Sequence, residues 1–276
     1  SYTKPDWQNL PVRMTEAKRV REVIIADEVG WWIIAVDQSQ IELRWAAHLS
    51  EDAWMIDVFR SGRSIHKETC QEIYGITEED KDWDGKYKNS KNGNFARLYG
   101  AGKFKLSETL HISVNEAEHF LKRHESLMQG FARWVESMHK LARKQGYVET
   151  HLGFRRYLPN IRGKNSVMRS RDERLSINVP IQGSSANHIQ LAMIAIYKEM
   201  KRKKMASRMM IQVHDELIFS APEEEVVEIA GIAVKHFESA IKLSVPTPAE
   251  VEVGVSWGEL VSFDEWTNEQ GIVIRI

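Results

Sequence analysis

WWIIAVDQSQIELR, residues 31–44, is the stretch from which the fold is read. Trp31 to Val36 is a continuous apolar run, rich in aromatic and β-branched residues, which suits a buried strand better than a helix. The character changes at Asp37. From Gln40 through Ser50 the spacing turns helical, with Ile41, Trp45 and Leu49 on one face. A carboxylate therefore stands where a buried strand ends and a helix begins, a rigid place from which to hold a metal ion or a phosphate. Aspartates also end strands as ordinary turn residues, so Asp37 alone decides nothing.

A second carboxylate comes at MMIQVHDELIFS, residues 209–220. Two short apolar runs flank His214-Asp215-Glu216, a pattern that predicts a β-hairpin whose turn carries two acids. Apolar residues on both sides would hold Asp215 near the sheet. Two carboxylates brought together repel unless a cation sits between them. A pair of divalent ions roughly 4 Å apart answers that repulsion and suits in-line phosphoryl transfer.

DQSQIELR (37–44) resembles motif A of the family A DNA polymerases, the bacterial DNA polymerase I type, and VHDEL (213–217) resembles their motif C. Between them KNGNFARLYG (91–100) resembles motif B, K-x3-F-x3-YG. Further similar stretches are QNLPVR (8–13), GRSIHKET (62–69), GYVETHLGFRRYLPN (146–160) and NVPIQG (178–183), so the resemblance runs from about Pro5 to Trp257. It implies a right-hand polymerase architecture of class α+β: an antiparallel-sheet palm with a mostly helical fingers subdomain. Palm would take residues 1–52 and 169–276, fingers 53–168. The family's thumb and exonuclease segments, and an arginine that precedes the QNLPVR segment, would lie upstream of Ser1, so the expectation is a module without them.

The resemblance also assigns roles. Asp37, Asp215 and the backbone carbonyl of Gln38 would hold two Mg²⁺ ions, with Glu216 in support and His214 near the primer end. Gln38 stands where the family usually has tyrosine. Glu42 matches the steric gate that leaves no room for a 2′-hydroxyl, and Gln40 would join it in binding nucleotide. His66 matches a residue that contacts the triphosphate, and Lys91 would stabilise the leaving pyrophosphate. Arg174, Asn178 and Gln182 match positions that touch primer and template in the minor groove, where every base pair presents acceptors. Phe95, where some relatives carry tyrosine, implies discrimination against dideoxynucleotides. Relatives usually place a second phosphate-gripping arginine four residues before the lysine; here that position is Tyr87, which implies weak nucleotide affinity.

The residues of motif B also have a reading of their own. Lys91, Phe95 and Tyr99 lie at i, i+4 and i+8, on one helical face with about 40° of drift per step. A cation and two aromatics on one stripe suit a nucleotide, and a core stripe would not include Lys91. Gly93 costs the helix around 1 kcal/mol, a sign of close approach or motion.

Composition sets the outer limits. At 276 residues, with 42% hydrophobic and 28% charged residues, the chain can bury a proper core. No run approaches the roughly 20 apolar residues of a membrane span and no signal peptide opens it. One cysteine, Cys70, excludes an internal disulfide and fits a reducing compartment. The net charge of −1 argues against a generic nucleic-acid coat. Yet every charged residue from Lys86 to Lys105 is basic, and seven basic residues face two acids from Arg155 to Arg174. Concentrated basic patches under a balanced total suit a protein that holds nucleic acid in one groove.

Elsewhere the patterns predict a short helix near Glu16–Val23, one long helix from a Ser113–Glu116 capping box to Gln145, and a hairpin-like segment over 146–160. A helix over 184–204 follows an entry at which Asn178 could serve as cap. Another helix starts at Pro222, and a final strand covers 249–255. Residues 258–276 extend past where relatives usually end and carry no assignment. The expected activity is template-directed DNA synthesis from dNTPs on a DNA primer-template, in the cytoplasm of a bacterial or phage-infected cell, with an organelle matrix as the alternative location. The rival readings are a split polymerase's subunit, inactive without a separate thumb or exonuclease chain; a single-subunit RNA polymerase, against which Glu42 argues; and a two-metal nuclease, which would leave motif B without purpose.

Overall fold

The computed structural model describes residues 15–271. In chain order the elements begin with α1 (Thr15–Glu22), β1 (Trp32–Gln38), α2 (Ile41–Ser50), α3 (Ala53–Arg60), α4 (Ile65–Tyr74), α5 (Trp83–Leu98) and α6 (Lys103–Leu110). They continue with α7 (Val114–Leu127), α8 (Gln129–Gln145), β2 (Tyr147–Glu149), β3 (Arg155–Tyr157) and α9 (Ser166–Lys203). β4 (Arg208–Val213), β5 (Glu216–Ala221), α10 (Val226–Ser239), β6 (Ala249–Ser256), β7 (Glu259–Ser262) and α11 (Phe263–Glu269) complete the described chain. This mixture of helices with an antiparallel sheet is the expected α+β class. No helix among the described residues is long and apolar enough to cross a membrane.

Two compact units divide the chain. Among the described residues, one takes those up to Ser39, His188–Lys242 and those from Thr247 onward; the other takes Gln40–Asn187 and Leu243–Pro246. These bounds differ from the expected 52/53 and 168/169 boundaries. Leu175 and Val179 of α9 pack against Ala142, Val148, Leu158 and Ile161, which draws the chain up to Asn187 into the second unit.

In the first unit a five-stranded antiparallel sheet runs β4-β5-β1-β6-β7, with the apolar strand read from the sequence at its centre. Alternation along β1 sorts its side chains onto two faces. Ile34 and Val36 join Ile189, Ala192 and Ile196 of α9 and Ile229, Ala233 and Phe237 of α10 in the main core. Ile33, on the other face, packs with Val213, Ile218 and Trp257. The strand runs two residues further than the apolar run, so Asp37 is a strand residue rather than its terminator. Glu216 likewise opens β5, leaving His214 and Asp215 as the turn.

The second unit is helical but for the β2–β3 pair. Ile73, Leu106, Leu110, Ala117 and Phe120 form one of its cores. Gly93 of α5 is there for close approach: a Cβ at that position would lie 2.4 Å from the Phe120 ring.

Three further expectations need correction. The predicted single helix from Ser113 to Gln145 is two, α7 and α8, broken at Met128. The capping box at Ser113 and Glu116 is present, but α8 has its own start, fixed from afar. Asp52 accepts from Met55 N at 2.9 Å and from Phe131 N at 3.0 Å, so one buried carboxylate caps both α3 and α8. Gly130 permits this, since a Cβ there would meet Asp52 Cα at 2.6 Å.

The helix predicted from Ser184 begins instead at Ser166, where Asn165 Oδ1 accepts from the N–H groups of Val167 and Met168. It runs through Pro180, and Asn178 is not a cap. A proline inside a helix costs about 3 kcal/mol; burial of Ile177 and Ile181 beside it offsets that loss. Lastly, β6 is not the final strand. β7 and α11 follow it, and Trp266 of α11 is buried in the main core, edge-on to Trp32 at 5.5 Å. The unassigned residues up to Gly271 thus complete a core. Residues 1–14 and 272–276, including the QNLPVR stretch, lie outside the described residues.

Candidate functional site

In the first unit, strand register gathers acids around Asp37. It pairs with Glu216 on β5 and with Glu250 on β6, so three carboxyl-bearing residues stand in a row across neighbouring strands. Like charges directly opposite one another are unfavourable. The turn adds a fourth: the Gln38 N–H donates to the Asp215 carbonyl at 3.3 Å, tying the end of β1 to the residue after His214. Burial, then Asp215, Glu216 and Glu250, push the Asp37 carboxyl up to about 7. Asp215 and Glu216 are also raised, each chiefly by burial. Trp257 Nε1 donates to Glu216 at 3.1 Å and Arg21 lies over the Trp257 ring, which moderates the Glu216 shift.

This is a set of oxygen donors held where their charge is uncomfortable, and it fits a hard divalent cation, which takes oxygen ligands and relieves such repulsion. Among the described residues no group of three or more His, Cys, Asp or Glu side chains forms a ready-made ion cage. Gln38 turns its side chain to the opposite face, where Nε2 donates to the Phe237 carbonyl at 3.1 Å beside His188. Only its backbone remains near the acids. His214 sits exposed in the turn with φ 54°. Glu250 was missed in the sequence; its signal was the alternation of residues 249–255, but only register reveals that it lies beside Asp37.

In the second unit α5 presents the predicted stripe. Lys91 is exposed and forms no ion pair among the described residues. Phe95 and Tyr99 follow at one-turn intervals. The Tyr99 hydroxyl donates to Glu42 Oε2 at 2.6 Å, fixing the first-turn acid of α2. Gln40 begins that helix with a left-handed backbone, and its Oε1 is buried without a hydrogen-bond partner. His66 is buried against the Phe95 ring, and burial together with Lys91 lowers its pKa to about 4, so the imidazole is neutral at pH 7. A cavity of about 840 Å³ is lined by Phe95, Tyr99, Gly100, Arg174, Asn178 and Gln182 among others. The last three recur at four-residue intervals on α9, and Asn178 Oδ1 is buried without a partner. A roomy cleft with aromatic walls and unsatisfied polar atoms is what a ligand site requires.

The basic patches are less free than their sequence suggested. Arg97 is buried, bonded to the Ala101 carbonyl and to Glu125, while Lys103, Lys105 and Arg155 pair with Glu118, Glu108 and Glu149. Arg162 and Arg169 donate to backbone carbonyls. Lys86 lies over the Tyr74 ring, and Tyr87 stacks on Trp83 at 5.9 Å.

The family model for DNA polymerase family A matches residues 1–259. Over 257 residues the chain is 37% identical to DNA polymerase I of Bacillus caldotenax, covering 93% of this chain and 29% of that protein. Against thermostable DNA polymerase I of Thermus aquaticus the figures are 38%, 93% and 30%. The chain therefore spans less than a third of the length of these curated relatives. Among solved structures it is similar to the POL domain of Pol1 from M. smegmatis, in complex with DNA primer-template and dNTP. There the TM-score is 0.87 at 33% identity, over 93% of this chain and 45% of that one.

Proposed function

The chain belongs to DNA polymerase family A, and on that premise we propose that it carries the nucleotidyl-transfer residues of a template-directed DNA polymerase. The observation that carries the reading is the burial of Asp37 among Asp215, Glu216 and Glu250: burial first, then those three acids, push its carboxyl to about 7. Asp37 and Asp215, with the Gln38 backbone carbonyl, would hold Mg²⁺, and Glu216 supports them through its bond from Trp257. When bound, a pair of such ions supplies Lewis-acid stabilisation to the primer 3′-oxygen and to the triphosphate.

The protein's own groups do the rest. Lys91 neutralises charge on the triphosphate and on the departing pyrophosphate, and His66 donates to a phosphate oxygen. Phe95 packs against the incoming base and sugar. Glu42, held by the Tyr99 hydroxyl, occupies the space a 2′-hydroxyl would need, which selects deoxynucleotides. Gln40 and Asn178 each offer a buried oxygen that has no protein partner. Arg174, Asn178 and Gln182 monitor the minor-groove edge of the primer-template pair, and His214 approaches the primer end.

The test is primer extension on a DNA template with Mg²⁺ and dNTPs, run beside Asp215→Asn. Extension by the wild-type chain that disappears in the variant supports the reading. Extension that survives in Asp215→Asn removes Asp215 from the chemistry. Primer-template binding without extension, restored by an added thumb-bearing chain, assigns this chain to a split enzyme.

A further inference from the structure

One buried polar network in the second unit has a single consistent set of proton positions. The Thr69 hydroxyl donates to the Ile65 carbonyl at 2.6 Å, so its only proton is committed within α4. The atom facing it at 3.1 Å is Nδ2 of Asn94, on α5, which therefore donates to the Thr69 oxygen. The second proton of that amide points to His66 Nδ1 at 3.0 Å. Asn94 Oδ1 faces His124 Nε2, on α7, at 3.2 Å, and a carbonyl oxygen can only accept. The amide is thus used in full, and reversing it would set its oxygen against the Thr69 lone pairs.

The orientation of Asn94 dictates the state of His66. Nδ1 must accept, so in a neutral ring the proton sits on Nε2. Burial beside Lys91 keeps the ring neutral. Nε2 is itself buried and has no hydrogen-bond partner, an arrangement seldom left unanswered in folded proteins. His66 is also packed on Phe95, within the stripe that carries Lys91.

We propose that Asn94 is a positioning residue that acts through His66: its amide, oriented by Thr69 and His124, holds the Nε2–H tautomer, and that N–H donates to a phosphate oxygen of the incoming nucleotide. The inference rests on the nucleotide-binding reading above. It accounts for a buried asparagine between two buried histidines, which an apolar core would not need. It also explains why His66, lacking charge, still contributes: the neutral ring offers one aimed donor, while Lys91 supplies the charge.

The test joins a spectroscopic readout to kinetics. Long-range ¹H–¹⁵N correlation of the wild-type chain should show His66 protonated at Nε2 and unprotonated at Nδ1 between pH 6 and 8, and dATP should move the Nε2 resonance. Asn94→Leu should mix the two tautomers and raise KM for dNTP by about tenfold, the loss of one charge-assisted hydrogen bond, with a smaller change in kcat. Thr69→Val, which leaves packing nearly intact, should mix the tautomers in the same direction should Asn94→Leu fail to fold. In a His66→Ala background, adding Asn94→Leu should cost nothing further in KM. An Nδ1–H tautomer in the wild-type chain, additive losses in the double variant, or an Nε2 resonance indifferent to dATP would overturn the proposal. A resonance that moves with dATP in a chain unable to extend primers supports it, and then only the polymerase reading fails.

Discussion

Replacing Asp37 by asparagine removes one charge from the row it forms with Glu216 and Glu250 while keeping the side chain's shape. A carboxyl raised from 3.8 to about 7 in the folded chain opposes folding in full once the pH lies above both values, and that opposition fades as the pH falls from about 7 towards 3.8. Asp37→Asn should therefore stabilise the metal-free chain at pH 8 by about 2 kcal/mol, less than the full raise would give because water screens part of the side chain. At pH 5 the gain should shrink. Urea unfolding in EDTA measures this, and a less stable variant at pH 8 would mean that something other than burial and repulsion governs Asp37. Extension should be lost in the same variant, the pattern expected where function keeps unfavourable charges together. At this scale the sequence was informative where chemistry is local. Asp37, Asp215, Lys91 and Glu42 could be singled out because each stands in a short motif whose neighbours fix its setting. Glu250 and Asn94 could not, since one matters through strand register and the other through partners 25, 28 and 30 positions away.

Helices and strands were legible in proportion to how local their causes are. The central strand, the hairpin around His214 and the Ser113 capping box all announce themselves within a few residues. The break between α7 and α8 does not, because its cause is Asp52, 79 positions from Phe131. The passage of α9 through Pro180 is equally hidden: local propensity opposes it, and only the burial of flanking isoleucines overrides that preference. Asp52 gives the element-scale prediction. Each N-cap bond contributes about 1 kcal/mol, and here one buried carboxylate makes two. Asp52→Ala should cost about 2–4 kcal/mol through both caps and the small cavity left behind. Asp52→Asn should cost less, since its amide oxygen still serves one helix start. Chemical denaturation followed by circular dichroism would distinguish them, and equal losses would show that charge rather than capping holds the two helices.

At the scale of the whole molecule, the two units carry opposite proton inventories. In the second, burial holds His124 down to about 3 and His66 down to about 4, and lowers His48 and His139 as well. An unfolded chain takes up those protons near pH 6.5, so this unit should lose stability as pH falls from 6.5 to 5. Each of the two most shifted histidines contributes about 1 kcal/mol per pH unit. In the first unit Asp37, Asp215 and Glu216 are raised and His188 is lowered; Glu199 and Glu225 are lowered as well, but from 4.5, below this pH range. There the folded state keeps protons that the unfolded chain releases, so the same acidification should leave it stabilised in the absence of metal. Asp37 and Asp215 were read from the sequence as cation ligands with Glu216 in support, but their consequence for stability required their burial to be known. Amide hydrogen exchange resolves the units separately. In EDTA, protection in α4, α5 and α7 should fall between pH 6.5 and 5, after correction for the intrinsic exchange rate, while protection in β1, β5 and β6 holds or rises. His124→Gln should flatten the first slope without touching the second. Parallel slopes in both units would mean that neither the buried histidines nor the crowded acids govern the acid response.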